Sequence, residues 1–132
     1  MELVTKLQIR PEQSLALLDG PADIVSAVRG ARADREASGS HSRVAASSDA
    51  LDADAVIAFV HRRSDLDGTA AREAVAAARD DRLSWLAYPK AGQLGTDLNR
   101  DLLCEALAGQ AVRPVRQISI DAVWSALRFR PS

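Results

Sequence analysis

The 132-residue chain is poor in several residue types that dominate particular protein classes. It has one cysteine, Cys104, so an internal disulfide is excluded, in keeping with a reducing compartment. No apolar stretch approaches the roughly 18 residues needed to cross a bilayer, and the N-terminal Met1-Glu2-Leu3-Val4-Thr5-Lys6 is too polar for a secretory signal. Excess charge of one sign is also missing: the formal net charge of -1 leaves no bulk positive field for phosphate backbones. A local basic patch stays open at Arg62-Arg63 and at the tail pair Arg128 and Arg130, where solvated arginines at element ends are the simpler account. No His, Cys and carboxylate residues fall at zinc or iron-site spacing, and no glycine-rich phosphate loop occurs. The expectations are therefore a cytoplasmic protein without metal, cofactor, membrane or nucleic-acid partner.

What is present is ordinary globular material. Hydrophobic residues make up 47% and charged residues 27%, which suits one domain spanning residues 1–132. Leu15-Ala16-Leu17-Leu18 lies between Arg10-Pro11 and Asp19-Gly20-Pro21, and reads as a buried strand. Pro21 suits a first helical position, and Ile24, Val25 and Val28 follow at helical spacing up to Gly30. Residues 31–42 are charged and small, which predicts a mobile loop, and Arg43 to Ser47 is a thin second strand. Ala55 to Val60 is a continuous apolar run suited to a central strand covered on both faces. Ser64 to Asp67 then reads as the cap of a helix whose face is Leu66, Ala70, Ala74, Ala77 and Ala78.

Leu83 to Tyr88 is the next strand, ended by Pro89, and Thr96 is read as capping a helix with Leu98, Leu102, Leu103, Ala106 and Leu107 on one face and Gly109 at its end. Val112 to Ile120 and Val123 to Phe129 have only Asp121-Ala122 between them, too little for a crossover helix, so they must pair antiparallel or bend apart. The fold class expected is α/β: a three-layer, Rossmann-like, mostly parallel sheet with a C-terminal antiparallel hairpin.

Ligands in such sheets sit beyond the carboxyl ends of the strands, which singles out Asp19 and Gly20, His61, and Tyr88 with Lys90 and the 96–100 segment. Helix N-termini there suit a small anionic ligand, and Lys90, one of two lysines beside fifteen arginines, would add a cation. Thr96, Asp97, Asn99 and Arg100 open the last helix. Asn99 either faces the sheet edge or bonds back to Thr96 as part of the cap, and Asp97 with Asp101 is also accounted for by the helix dipole. His61 is a candidate acid or base or a structural hydrogen-bonding group. Cys104 is placed opposite the Leu98 face, and a Cys104-His61 nucleophilic pair is not expected. Trp124 alternates away from Val123 and Ser125, and is read either as core or as the contact for a second copy of the chain or another protein.

The strand order resembles the class I methyltransferase sheet with one strand-helix unit missing. The glycine-rich turn of cofactor-binding members is reduced here to Asp19-Gly20-Pro21, and no acidic residue plainly ends the second strand. The chain is also similar, over nearly its whole length, to a bacterial family of small proteins built on a domain of unknown function. The resemblance rests on Lys6 to Pro11, Ala87-Tyr88-Pro89-Lys90, Gly95 to Asp101 and Ile120 to Phe129. Where that family has a second lysine and serines, Ala91-Gly92-Gln93-Leu94 stands here, and an Asn-Ala-Pro turn is replaced by Asp19-Gly20-Pro21-Ala22. The resemblance implies no established activity. The expected function is a non-catalytic ligand-binding or protein-interaction module, with a methyltransferase-related enzyme of degenerate cofactor site as the alternative.

Overall fold

Four runs of the chain have no polar alternation, and each becomes a strand buried on both faces. In the computed structural model, which describes residues 6–9, 13–28, 44–45, 53–90 and 92–132, these are β1 (Leu15–Leu18), β3 (Ala55–Phe59), β4 (Leu83–Pro89) and the first half of β6 (Trp124–Pro131). With β2 (Val44–Ala45) and β5 (Val112–Ser119) they form one six-stranded sheet in the order β2-β1-β3-β4-β6-β5. Strands β1 to β4 pair parallel, and β6 inserts antiparallel between β4 and β5. The mobile loop expected at 31–42, Gly30, and residues 43 and 46–47 of the second strand lie outside the described residues.

Alternation along each strand sends its apolar side chains into two separate cores. Val56, Ala58, Leu86, Leu127 and Phe129 pack under helices α2 (Thr69–Arg79) and α3 (Arg100–Leu107). The α2 face is almost all alanine, which lets its backbone approach the sheet, and the Ser84 hydroxyl in β4 donates to the Ala74 carbonyl at 2.6 Å. Ile57, Phe59, Trp85, Trp124 and Ala126 fill the other core with Ile24 and Val28 of α1, helical across 22–28, and with Leu7 and Ile9. Leu7 and Ile9 reach this core because the buried Trp85 indole N–H donates to the Leu7 carbonyl at 2.9 Å.

Three expected boundaries are corrected. Ser64 to Asp67 does not cap α2 but belongs to a separate 3-10 helix, Arg63–Asp67, and α2 starts at Thr69 after the extended Gly68. The cause is Asp65, whose carboxylate accepts the His61 and Arg62 N–H groups at 2.8 and 3.1 Å and closes its own turn. Helix α3 starts at Arg100, because Asn99 has extended φ/ψ of -149° and 179° and its side chain accepts the Leu102 N–H. It also ends earlier, at Leu107, with Ala108 and not Gly109 closing it.

Strand β5 is one of the two edges, and it is blunted. Pro114 has no N–H to offer a further strand, and a bulge breaks the register between Pro114 and Arg116.

Replacing Trp85 with Phe keeps the ring but strips the Leu7 carbonyl of its donor. The expected loss is about 1–3 kcal/mol, read by urea unfolding with an unchanged denaturant slope.

Candidate functional site

The chain leaves β1 for β2 on one side and reaches β3 on the other, so the helices that follow β1 and β3 lie on opposite faces: α1 in the Trp85 core and α2 in the Leu86 core. That divergence opens a gap at the carboxyl ends of the strands. It holds a cavity of about 420 Å³, walled by the β1–α1 turn (Asp19 to Pro21, with Asp23), His61 after β3, Leu94, and the β5–β6 turn (Asp121, Val123, Trp124).

Each wall has a local cause. Asp19 takes a left-handed backbone, φ 60°, which Asp tolerates better than most residues. At Gly20 an added Cβ would lie 2.9 Å from Val25 and 3.2 Å from Phe59, so glycine is required for packing. Pro21 opens α1 without an N–H of its own, although its carbonyl accepts the Val25 N–H at 3.0 Å. The turn is therefore tightly packed protein and not a phosphate cradle. His61 is held at both backbone ends: its N–H donates to Asp65, and its carbonyl accepts the Thr96 hydroxyl at 2.5 Å. Its ring meets Trp124 edge to face at 5.1 Å, and Phe59 meets the same indole at 5.2 Å. Asp121 fixes the opposite wall, its carboxylate accepting the N–H groups of both Val123 and Trp124 at 2.8 Å.

The cavity unites Asp19, Gly20 and His61 with Trp124, and adds Asp23 and Asp121. Its described lining carries three carboxylates and one imidazole, and no Lys or Arg. The other candidates lie elsewhere. Tyr88 is 3% exposed on the opposite face, its hydroxyl accepting the Gln117 amide at 3.1 Å. Lys90 donates to Ser119 at 2.7 Å. Thr96 and Asp97 staple their loop to the one after β3, Asp97 accepting the Arg63 N–H at 2.8 Å. Asn99 is the cap of α3, so its side chain bonds forward to Leu102 and not back to Thr96, and Arg100 is the exposed first residue of that helix. Trp124 is 4% exposed and forms core and cavity wall, leaving no exposed ring for a partner contact. Cys104 packs against the sheet face beside Tyr88 and not away from it; Leu98 precedes the helix, so the face taken from it was rotated. Burial pushes both the Tyr88 phenol and the Cys104 thiol up.

Asp23 and Asp121 carry no motif. Asp121 would follow only from knowing that β6 lies against β4, because antiparallel pairing then carries its leading turn to the strand ends. Among the described residues no group of three or more His, Cys, Asp or Glu could hold a metal ion, and no helix is long and apolar enough to cross a membrane.

No family model and no curated protein sequence matches the chain, so its resemblance to the bacterial family receives no support from that side. Solved structures do match. A ribosomal protein L11 methylase from Lactobacillus delbrueckii subsp. bulgaricus aligns with 98% of this chain and 75% of its own, at TM-score 0.55 and 14% identity. N,N-8-amino-8-demethyl-D-riboflavin dimethyltransferase (RosA) from Streptomyces davawensis aligns with 89% of this chain and 42% of its own, at TM-score 0.40 and 18% identity. The first of these likenesses shows the fold: a methyltransferase-like α/β sheet ending in an antiparallel hairpin.

Two measurements check these assignments. Asn99→Ala should cost about 1 kcal/mol in thermal or chemical unfolding, the usual loss for a helix cap. Tyr88 is the sole tyrosine, so phenolate absorbance should titrate with a midpoint above 10. A raised folded-state value means that its stabilising contribution is whole below about 10 and disappears as pH climbs through that midpoint. Gln117→Leu, by removing a donor to the phenolate, should raise the midpoint further.

Proposed function

We propose that this protein binds a small organic cation in the strand-end cleft of a methyltransferase-like fold. One observation carries the reading: Asp19, Asp23 and Asp121 line the cavity with His61, against the apolar surfaces of Trp124, Val123 and Leu94, and no described cation neutralises the lining. Carboxylates with no described cation beside them, around a partly enclosed space, favour a positive guest, because their attraction rises as water is excluded. The anionic ligand expected from helix N-termini suits this cleft poorly. The turn before α1 ends in a proline, which has no N–H to offer, and the helix after β3 is preceded by the 3-10 segment in which Asp65 already occupies the free N–H groups.

A second reading, a methyltransferase-related enzyme, is favoured by the coincidence of the L11 methylase-like fold with a cavity at the strand-order switch. The methyl-donor cofactor implied by that fold fits the residues present only in part. A sulfonium group suits the carboxylates. The turn gives no backbone cradle, since the space at Gly20 is filled by Val25 and Phe59.

Calorimetry with putrescine, S-adenosylmethionine and adenosine monophosphate separates the possibilities. A cation should bind, and the Asp19→Asn, Asp23→Asn double variant should weaken it about tenfold or more while the melting temperature holds. Asparagine retains the left-handed turn at position 19. Tighter binding of the anionic nucleotide than of either cation would overturn the reading, and methyl transfer from the sulfonium to an acceptor would replace it with the enzyme.

A further inference from the structure

The terminal hairpin carries a charge pattern that the net charge conceals. In the ladder Arg113 lies opposite Arg130 and Arg116 opposite Arg128. Residues directly opposite share a face, and Arg128 and Arg130, two apart, share one as well. Positions 113 and 116 would point to opposite faces of a regular strand. The bulge between Pro114 and Arg116 absorbs the odd residue and turns both arginines to the same side.

Four guanidinium groups therefore stand together, and among the described residues one carboxylate answers them: Asp81, which accepts from Arg130 at 3.0 and 3.2 Å. Arg128 donates to the neutral Gln8 amide oxygen at 2.8 Å, while its Nε is buried without a partner. Arg113 reaches the Pro131 carbonyl at 3.3 Å. The charges of Arg130 and Arg116 bear on Arg128, which burial already pushes below the usual arginine value. At the far end of the strand Lys6 reaches the Ser119 carbonyl at 3.3 Å, whereas Lys90 reaches the Ser119 hydroxyl at 2.7 Å on the opposite face, the one Ser119 shares with Gln117. Neither lysine meets a carboxylate among the described residues. The result is a cationic band of two arginine rungs about 6.6 Å apart, taken as two strand steps along β6.

We propose that this band on the β5–β6 hairpin is a binding track for the phosphate backbone of a single-stranded nucleic acid. Guanidinium forks match phosphate oxygens in bidentate fashion, and arginines two residues apart on a strand stand about 6.6 Å apart, near the spacing of successive phosphates on an extended strand. The ridge is only two strands wide, which suits a single strand more than a duplex. The exposed large hydrophobic residues, Leu94 and Val115, offer no aromatic ring for base stacking, so recognition is of backbone and not of sequence. An acidic peptide would be expected to dock as an added strand, and Pro114 with the adjoining bulge denies it a continuous edge. Bulk charge excludes nucleic acid only when charge is spread evenly, and here it is sorted by face.

The test is fluorescence anisotropy of the full chain with a labelled single-stranded DNA of about 20 nucleotides, across a salt series. Four phosphate contacts predict a slope of log affinity on log salt of about -3, and Arg113→Gln with Arg116→Gln should reduce it to about -1.4. Both positions are exposed, and circular dichroism of the variant should match that of the parent chain. Arg72→Gln on α2 removes a charge away from the band and should leave the slope unchanged. Absence of saturable binding at low salt, or equal binding by the double variant, would overturn the proposal. So would poly-glutamate outcompeting the DNA, which would make the band a surface for acidic proteins.

Discussion

The carboxylate of Asp121 holds the chain where it reverses after β5, taking the N–H groups of Val123 and Trp124 and so starting β6 at a defined residue. Because β6 lies between β4 and β5, its register decides both neighbours at once. A slip of one residue would flip every side chain of β6, moving Trp124 out of the cavity wall and exchanging Leu127 and Phe129 with Ala126 and Arg128 between the two cores. The cleft and the cationic band are separate features on different ends of the hairpin, yet both depend on this one turn.

The two features also have opposite charge. The strand-end cavity gathers carboxylates from the turns after β1 and β5, whereas the hairpin face gathers arginines from β5 and β6. Among the described residues, a chain with net charge -1 thus gathers carboxylates at one place and arginines at another. Separation of this kind lets one small protein attract a cation at one place and an anion at another without the two fields cancelling at short range. The fold resembles a methylase, but at 14% identity it lends the architecture and not the chemistry.

Much of that architecture was legible before any coordinates. Leu15–Leu18 matches its predicted strand residue for residue, and Ala55–Phe59 and Leu83–Pro89 match within one, because continuous apolar runs bounded by Gly, Pro and Asp have few other uses in a small domain. The two-residue gap at Asp121-Ala122 likewise excluded a crossover helix, and of the two arrangements left the strands take the antiparallel pairing. Helix starts were less legible. Thr96 and Ser64 look like caps, but their neighbours Asn99 and Asp65 made the deciding hydrogen bonds, and choosing between adjacent polar residues requires knowing which N–H groups are left over.

The candidate site was legible where it depends on one strand end and obscure where it depends on two. Asp19, Gly20 and His61 follow from the rule that ligands gather at carboxyl ends, and the cavity unites them. Lys90, Thr96 and Asp97 obey the same rule, but their side chains are taken up by Ser119 and by the His61 and Arg63 backbone. Asp121 and Trp124 enter the cavity, and Arg113 and Arg116 share a face, only because of long-range pairing and a bulge. Local composition by itself determined the strands, the hairpin and the fold class, since burial and turn chemistry act over a few residues. Which charges meet across the sheet was decided by strand order and register, which are set by packing between segments far apart in the chain.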